Sequence, residues 1–142
     1  MRELKFRVWD KQFSHFWNEG VGMDIKRIAF NFYESLFEDN ERFEFHQYIG
    51  IKDSTGKEIY EGDIVENTVC YEEYCSPAVV AMSVYEQLQW ALFRKIDNPE
   101  IDYTPIQQTF NGVKLYEELP IVYSSYGYKV IGNIYENIDI FK

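Results

Sequence analysis

The densest set of reactive side chains in this chain lies in Asp53-Ser54-Thr55-Gly56-Lys57-Glu58-Ile59-Tyr60-Glu61-Gly62-Asp63-Ile64-Val65. Clustered carboxylates can hold Mg²⁺ or Mn²⁺ for phosphoester hydrolysis, because hard divalent cations take several oxygen ligands and activate water. That chemistry requires Asp53, Glu61 and Asp63 to converge beneath a pocket. The same residues also read as a compact β-corner. Gly56 and Gly62 suit left-handed turn positions, and Asp53 and Asp63 can accept hydrogen bonds from nearby backbone N–H groups. Glu61 and Asp63 share a face only where a strand begins before Glu61, and Gly62 favours a turn there. The stretch therefore speaks first for architecture, and no catalytic residue is assigned.

Other constellations are thinner. Cys70 and Cys75 are separated by four residues and, with His15 and His46, would supply the donor set of a tetrahedral zinc site. No Cys-x-x-Cys pair supports that assembly. Glu66, Glu72 and Glu73 lie close in sequence to the two thiols, and negative neighbours oppose thiolate formation. Ser14 and Ser54 lack a nucleophile-elbow pattern. Gly56-Lys57 lacks the leading glycine and following Ser/Thr of a P-loop, and Gly127 to Gly132 does not reproduce a dinucleotide turn. No metal or cofactor is expected.

Charge narrows the partners. The net charge is −10. The first 30 residues carry six Lys/Arg against four Asp/Glu, and the remainder carry eight against twenty. Between Glu58 and Glu73 there are six carboxylates and no Lys or Arg. Such a surface repels phosphate backbones, so direct nucleic-acid binding is disfavoured. It suits a basic partner, mimicry of nucleic acid, or plain solubility. Only Arg2, Lys5, Arg7 and Lys11 could line a positive groove for stacked bases. Among the aromatics, Trp9, Phe13, Trp17, Trp90 and Tyr123 read either as core or as partner-contacting rings. The candidate protein interface is Trp9, Trp90, Tyr123 and Tyr128, with Glu61, Asp63 and Glu66 selecting a basic partner.

These residues must be positioned by a fold of 142 residues, a length that fits one compact domain over 1–142, with 1–47 as a candidate N-terminal subdomain. No 18-residue apolar run is present, so a cytoplasmic, non-membrane protein is the expectation. Leu4, Phe6 and Val8 alternate with Lys5, Arg7 and Trp9 and predict a first strand. With a turn at Asp10-Lys11-Gln12 and the alternation of Phe13, His15 and Trp17, an opening hairpin follows. Residues 24–37 fit two patterns. Ile25, Ile28, Ala29, Phe32 and Leu36 match a helical face capped by Asp24, whereas Ile28, Phe30 and Phe32 match a strand. β propensity favours a strand from about Lys26, with a short helix near Tyr33 to Phe37. Phe43, Phe45 and Gln47 predict a strand stopping near Gly50, and another begins at Ile64. Ala78 to Tyr85 and Gln89 to Phe93 predict a hairpin about Glu86-Gln87, although Val80, Val84, Leu88 and Ala91 also match helical spacing. Asn111-Gly112 signals a type I′ turn before Val113 to Tyr116. Tyr128 to Ile131 is a further strand, and Gly132-Asn133 is expected to bend the chain. An exposed sheet edge could form a homo-oligomer.

Four separated segments then resemble one family. Lys5-Phe6-Arg7-Val8-Trp9-Asp10, His46-Gln47-Tyr48-Ile49-Gly50-Ile51-Lys52-Asp53, Gly56 through Val65, and Val130-Ile131-Gly132-Asn133-Ile134-Tyr135-Glu136-Asn137 resemble the YopX-like proteins of phages and prophages. The resemblance implies a mainly β fold, a partly open SH3-like β-barrel with an N-terminal β extension and an elaborated central region. Cys70 to Tyr126 departs most from the shared pattern. The resemblance brings no catalytic site. It implies a viral accessory role in the cytoplasm of a bacterial host, and the leading expectation is a non-enzymatic phage or prophage accessory protein that binds a host or viral protein through an exposed sheet edge or aromatic groove. The alternatives are an accessory role in nucleic-acid metabolism, by weak contact or acidic mimicry, and the metal-dependent phosphoesterase considered above.

Overall fold

The computed structural model describes residues 3–37, 41–68, 77–83, 89–95, 107–120 and 127–142. The chain divides into two compact units, Met1–Gly50 and Ile51–Lys142. It is mainly β, with one sheet an open, curled half-barrel, a second sheet that does not close, and a single helix among the described residues. The expected mainly β, partly open barrel is therefore the architecture found.

In the first unit, β1 (Lys5–Asp10) is the central strand. It pairs antiparallel with β2 (His15–Phe16), β3 (Met23–Asp24) and β4 (Phe43–Lys52). The opening hairpin is present, with Trp9 opposite Phe16 and Asp10 opposite His15. Its second strand is shorter than the alternation suggested. Trp17 enters a tight turn, in which Asn18 and Glu19 adopt φ of 51° and 55°. Strand β4 does not stop at Gly50, which lies within it at φ 92°.

The strand expected from about Lys26 is instead helix α1 (Ile25–Phe37). Asp24 caps it, its Oδ1 accepting the Arg27 N–H at 2.9 Å. Ile28 and Phe32, four residues apart, fall on one seam and are buried with Val8 and Met23. A strand would have put Phe30 on the same face as Ile28 and Phe32, yet Phe30 is 87% exposed. Burial of the Ile28/Phe32 seam outweighs the β propensity of the neighbouring aromatics. The Phe32 ring meets Trp17, Phe43 and Phe45 edge-on, at centroid distances of 5.3, 5.0 and 5.7 Å.

In the second unit, β5 (Glu58–Tyr60) pairs with β4, whose last residues, Ile51 and Lys52, belong to this unit. A six-stranded sheet follows in the order β11-β6-β7-β8-β10-β9. It comprises β6 (Asp63–Asn67), β7 (Ala78–Met82), β8 (Trp90–Arg94), β9 (Gln107–Phe110), β10 (Val113–Pro120) and β11 (Tyr128–Asn133). The two apolar runs around Val79 and Leu92 are strands, paired Val79 to Phe93 and Met82 to Trp90. The proposed turn at Glu86-Gln87 lies outside the described residues, as do Val84 and Leu88. Asn111 and Gly112, at φ 45° and 85°, join Phe110 to Val113 in a two-residue hairpin of the type I′ kind. Ile64, Val79, Phe93 and Leu115 form the centre of the core, which Ile138 and Phe141 complete.

The bend expected at Gly132-Asn133 is displaced by one residue. Strand β11 runs through Gly132 with a bulge after Val130, and Asn133 makes the turn. Its Oδ1 accepts the N–H groups of Tyr135 and Glu136, each at 3.0 Å. A Cβ on Gly132 would overlap the Asn137 side chain, so the glycine serves close packing rather than an unusual φ.

Gly62 shows the opposite requirement. Its φ is 81°, its N–H donates to the Val80 carbonyl at 2.7 Å, and its carbonyl accepts the Ile134 N–H at 2.9 Å. Gly62→Val is therefore expected to destabilise the protein by about 1–3 kcal/mol, because a β-branched residue is strained at positive φ. Denaturant unfolding would show the loss. An unchanged midpoint would mean that this turn tolerates a side chain.

Candidate functional site

Two regions contain the residues of interest, and they are built differently. Around Asp53 the chain forms a tight turn. The Asp53 N–H donates to the Lys57 carbonyl at 2.7 Å, and its own carbonyl accepts the Gly56 N–H at 3.0 Å. Gly56 sits at φ 89°. The Asp53 carboxylate is only 4% exposed and faces donors on both oxygens. Oδ1 accepts the Thr55 N–H at 2.9 Å, the Thr55 hydroxyl at 2.7 Å and the Lys57 N–H at 2.9 Å. Oδ2 accepts the Val130 N–H at 3.0 Å. Burial pushes this carboxyl up, but the donors of Val130, Thr55 and Lys57 outweigh burial and hold it below the ordinary carboxylate value.

Asp63 is also buried, and its Oδ2 accepts the Tyr60 N–H at 2.8 Å. Glu61 and Glu66 are half-buried, and Glu66 lies opposite Lys129 across β6 and β11. The convergence of Asp53, Glu61 and Asp63 on a divalent ion is not found. Among the described residues no group of three His, Cys, Asp or Glu is placed to hold a metal. The physical reason is that Asp53 and Asp63 already bind backbone donors and fix turns. Of the zinc donor set, His15 is exposed and His46 buried, whereas Cys70 and Cys75 lie outside the described residues.

The aromatic residues named as an interface are mostly inside. Trp9 is 6% exposed and meets Phe16 edge-on at 4.8 Å, and Trp90 is 3% exposed. Tyr128 is buried opposite Asn67, and Tyr123 lies outside the described residues. With Asp63 buried too, this set does not form one continuous outer surface in either unit.

Of the N-terminal basic cluster, Lys5, Arg7 and Lys11 are individually engaged, and Arg2 lies outside the described residues. Lys5 pairs with Glu3 at 3.4 Å and lies over the Tyr48 ring, and Lys11 pairs with Glu44 at 2.9 Å. Arg7 is buried, with its guanidinium 4.5 Å from the centre of the Phe16 ring. Arg42 bonds both oxygens of the buried Asp10, at 3.1 and 2.8 Å. That bond, aided by the Gln12 and Phe13 N–H groups, outweighs burial and holds Asp10 below its ordinary value.

Exposed aromatic rings lie at Phe13 and Trp17, 61% and 40% exposed, and on α1. Phe30 and Tyr33 are 87% and 63% exposed, and Ile25 is exposed at the start of the helix. Lys26 and Arg27 are exposed beside them. With Ile28 and Phe32 on the buried seam, Phe30 between them must point outward. The signal was available in the helical spacing of residues 25–36, but reading Phe30 as a strand residue placed it inside. Chemically the face offers apolar contact beside positive charge. Among the described residues, no helix is long and apolar enough to cross a membrane.

Comparison with known proteins bears on the whole chain. A crystal structure of protein EF1440 from Enterococcus faecalis is similar in fold, with a TM-score of 0.54 and 21% sequence identity over 100% of both chains. No curated protein matches the chain. The pattern described as YopX protein matches residues 5–142, and it covers all four segments whose wording carried the resemblance. This chain belongs to the YopX family.

Proposed function

We propose that this protein is a non-enzymatic phage or prophage accessory factor that binds a host or viral protein inside the bacterial cytoplasm. One observation carries this reading: the solvent face of α1 presents Phe30 and Tyr33, two large rings exposed on a helix whose other face is packed. Exposed aromatics supply contact area at a small cost in side-chain entropy, and such residues anchor protein interfaces. Family membership supports the phage and prophage setting. The saturation of Asp53 by backbone and hydroxyl donors supports a structural rather than a catalytic use of the central carboxylates.

A photo-reactive benzophenone side chain at position 30 tests the reading in host cells carrying the phage genes. The expected result is one reproducible protein adduct from position 30 and none from the exposed control position 114. Absence of an adduct, or the same adducts from both positions, would overturn it.

A further inference from the structure

The composition of the α1 face says more about what binds there. At roughly 100° per residue, Ile28 and Phe32 define the buried seam, and Phe30 falls almost opposite their midpoint. Lys26 and Tyr33 lie on one side of Phe30, within about 60° of it, and Glu34 and Arg27 lie on the other at similar angles. The exposure of all five agrees with this placement, despite the irregular φ of −124° at Phe32. Lys26 and Arg27 form no ion pair among the described residues. They stand in the one basic section of an acidic chain.

We propose that the outer face of α1 docks an acidic protein segment with apolar residues between its carboxylates, Phe30 and Tyr33 taking the apolar contact and Lys26 and Arg27 the charge. The proposal rests on the protein-binding reading above and names the partner's chemistry. It reverses the sign expected from Glu61, Asp63 and Glu66, of which Asp63 is buried and the others half-buried. Phe30 and Tyr33 are three apart, so their rings are neighbours on the helix surface and can enter one apolar groove.

Charge complementarity favours a peptide over the two other anionic partners. A duplex carries one charge per roughly 1.7 Å and extends beyond a patch of two cations into the field of an otherwise acidic chain. Screening over about 8–10 Å does not remove that repulsion for a long polyanion, but a short acidic segment ends within the patch. An anionic membrane is recognised by clusters of about 4–8 Lys/Arg, more than this helix offers.

Fluorescence anisotropy with the intact protein can decide the matter, using a synthetic amphipathic Glu/Leu/Phe peptide and the same peptide with Lys in place of Glu. Single-stranded oligo(dT) and phosphatidylglycerol vesicles complete the probe set. The expected result is binding of the acidic peptide alone, weakened by salt. Phe30→Ala and the double substitution Lys26→Glu with Arg27→Glu should each weaken it about tenfold. Neither change should alter thermal unfolding, since Phe30 is outside the core and glutamate is favourable in a first helical turn. Equal binding of both peptides, no binding, or indifference to the substitutions would overturn the proposal. Preferred binding of oligo(dT) or vesicles would overturn it in favour of those partners. A position-30 adduct whose captured segment is neutral or basic would remove the charge assignment and leave protein binding standing. Acidic-peptide binding without any cellular adduct would do the reverse.

Discussion

Truncating Phe32 to alanine is expected to cost about 3–5 kcal/mol of stability, the range for deleting a buried aromatic side chain. Phe32 is the ring around which the first unit packs, in edge-on contact with Trp17, Phe43 and Phe45. Its removal leaves a cavity bounded by Trp17 from the tight turn and by Phe43 and Phe45 from β4, which cannot all collapse inward together. Ile28, the other buried residue of the seam, would then hold α1 to β1 with little help. Denaturant unfolding followed by near-ultraviolet circular dichroism would report the loss, because Trp17 packs on the deleted ring. A destabilisation under about 1 kcal/mol would mean that the site refills and that Phe32 is not the organising residue.

Removal of the Asp53 carboxylate is expected to have an effect of similar size, by a different cause. Asp53→Ala strands the N–H groups of Thr55, Lys57 and Val130, and a hydrogen bond to a charged acceptor contributes about 1.5–3 kcal/mol net. A net loss of about 3–4 kcal/mol follows, less than the sum of three such bonds because the network is part-buried and water can reach some of the stranded N–H groups. Asp53→Asn separates the two halves of the network. It keeps an acceptor for Thr55 and Lys57, but turns an amide toward the Val130 N–H. The folded carboxyl titrates below its unfolded value, so its contribution is complete above about pH 4 and disappears as pH falls through the folded value. The slope of stability against pH in that acid range should be shallower in Asp53→Asn, though not flat, because Asp10 is lowered in the same direction. An unaltered slope would show that Asp53 does not drive acid unfolding.

What the sequence revealed, and what it hid, follows from the range of the interactions. Alternation in Leu4, Phe6 and Val8 located β1, and Asn111-Gly112 located its turn, because both depend on neighbours along the chain. Asp53 and Asp63 were readable as acceptors for nearby N–H groups for the same reason. The Asp53 bond to Val130 spans 77 residues and the Asp10 bond to Arg42 spans 32, and no local pattern encodes either. Aromatic type alone did not sort surface from core. Trp9 and Trp90 went inside, and Phe30 went outside, according to which side of an element met its neighbour. For residues 25–37 the periodicity held both answers, and the choice required knowing that β1 and β4 would offer a surface for Ile28 and Phe32 to cover.

The pairing of β11 with β6 also sets the order in which the second unit can mature during synthesis. Strand β6 emerges from the ribosome roughly 60 residues before its neighbour β11 exists, and a non-local pairing of that kind forms slowly. Until then one flank of β6 has backbone donors and acceptors with no strand to receive them. The apolar side chains destined to lie under Ile138 and Phe141 wait uncovered for the same interval. Nascent chains stalled before Tyr128 should therefore be the species most exposed to chaperone capture and to pairing with the wrong strand.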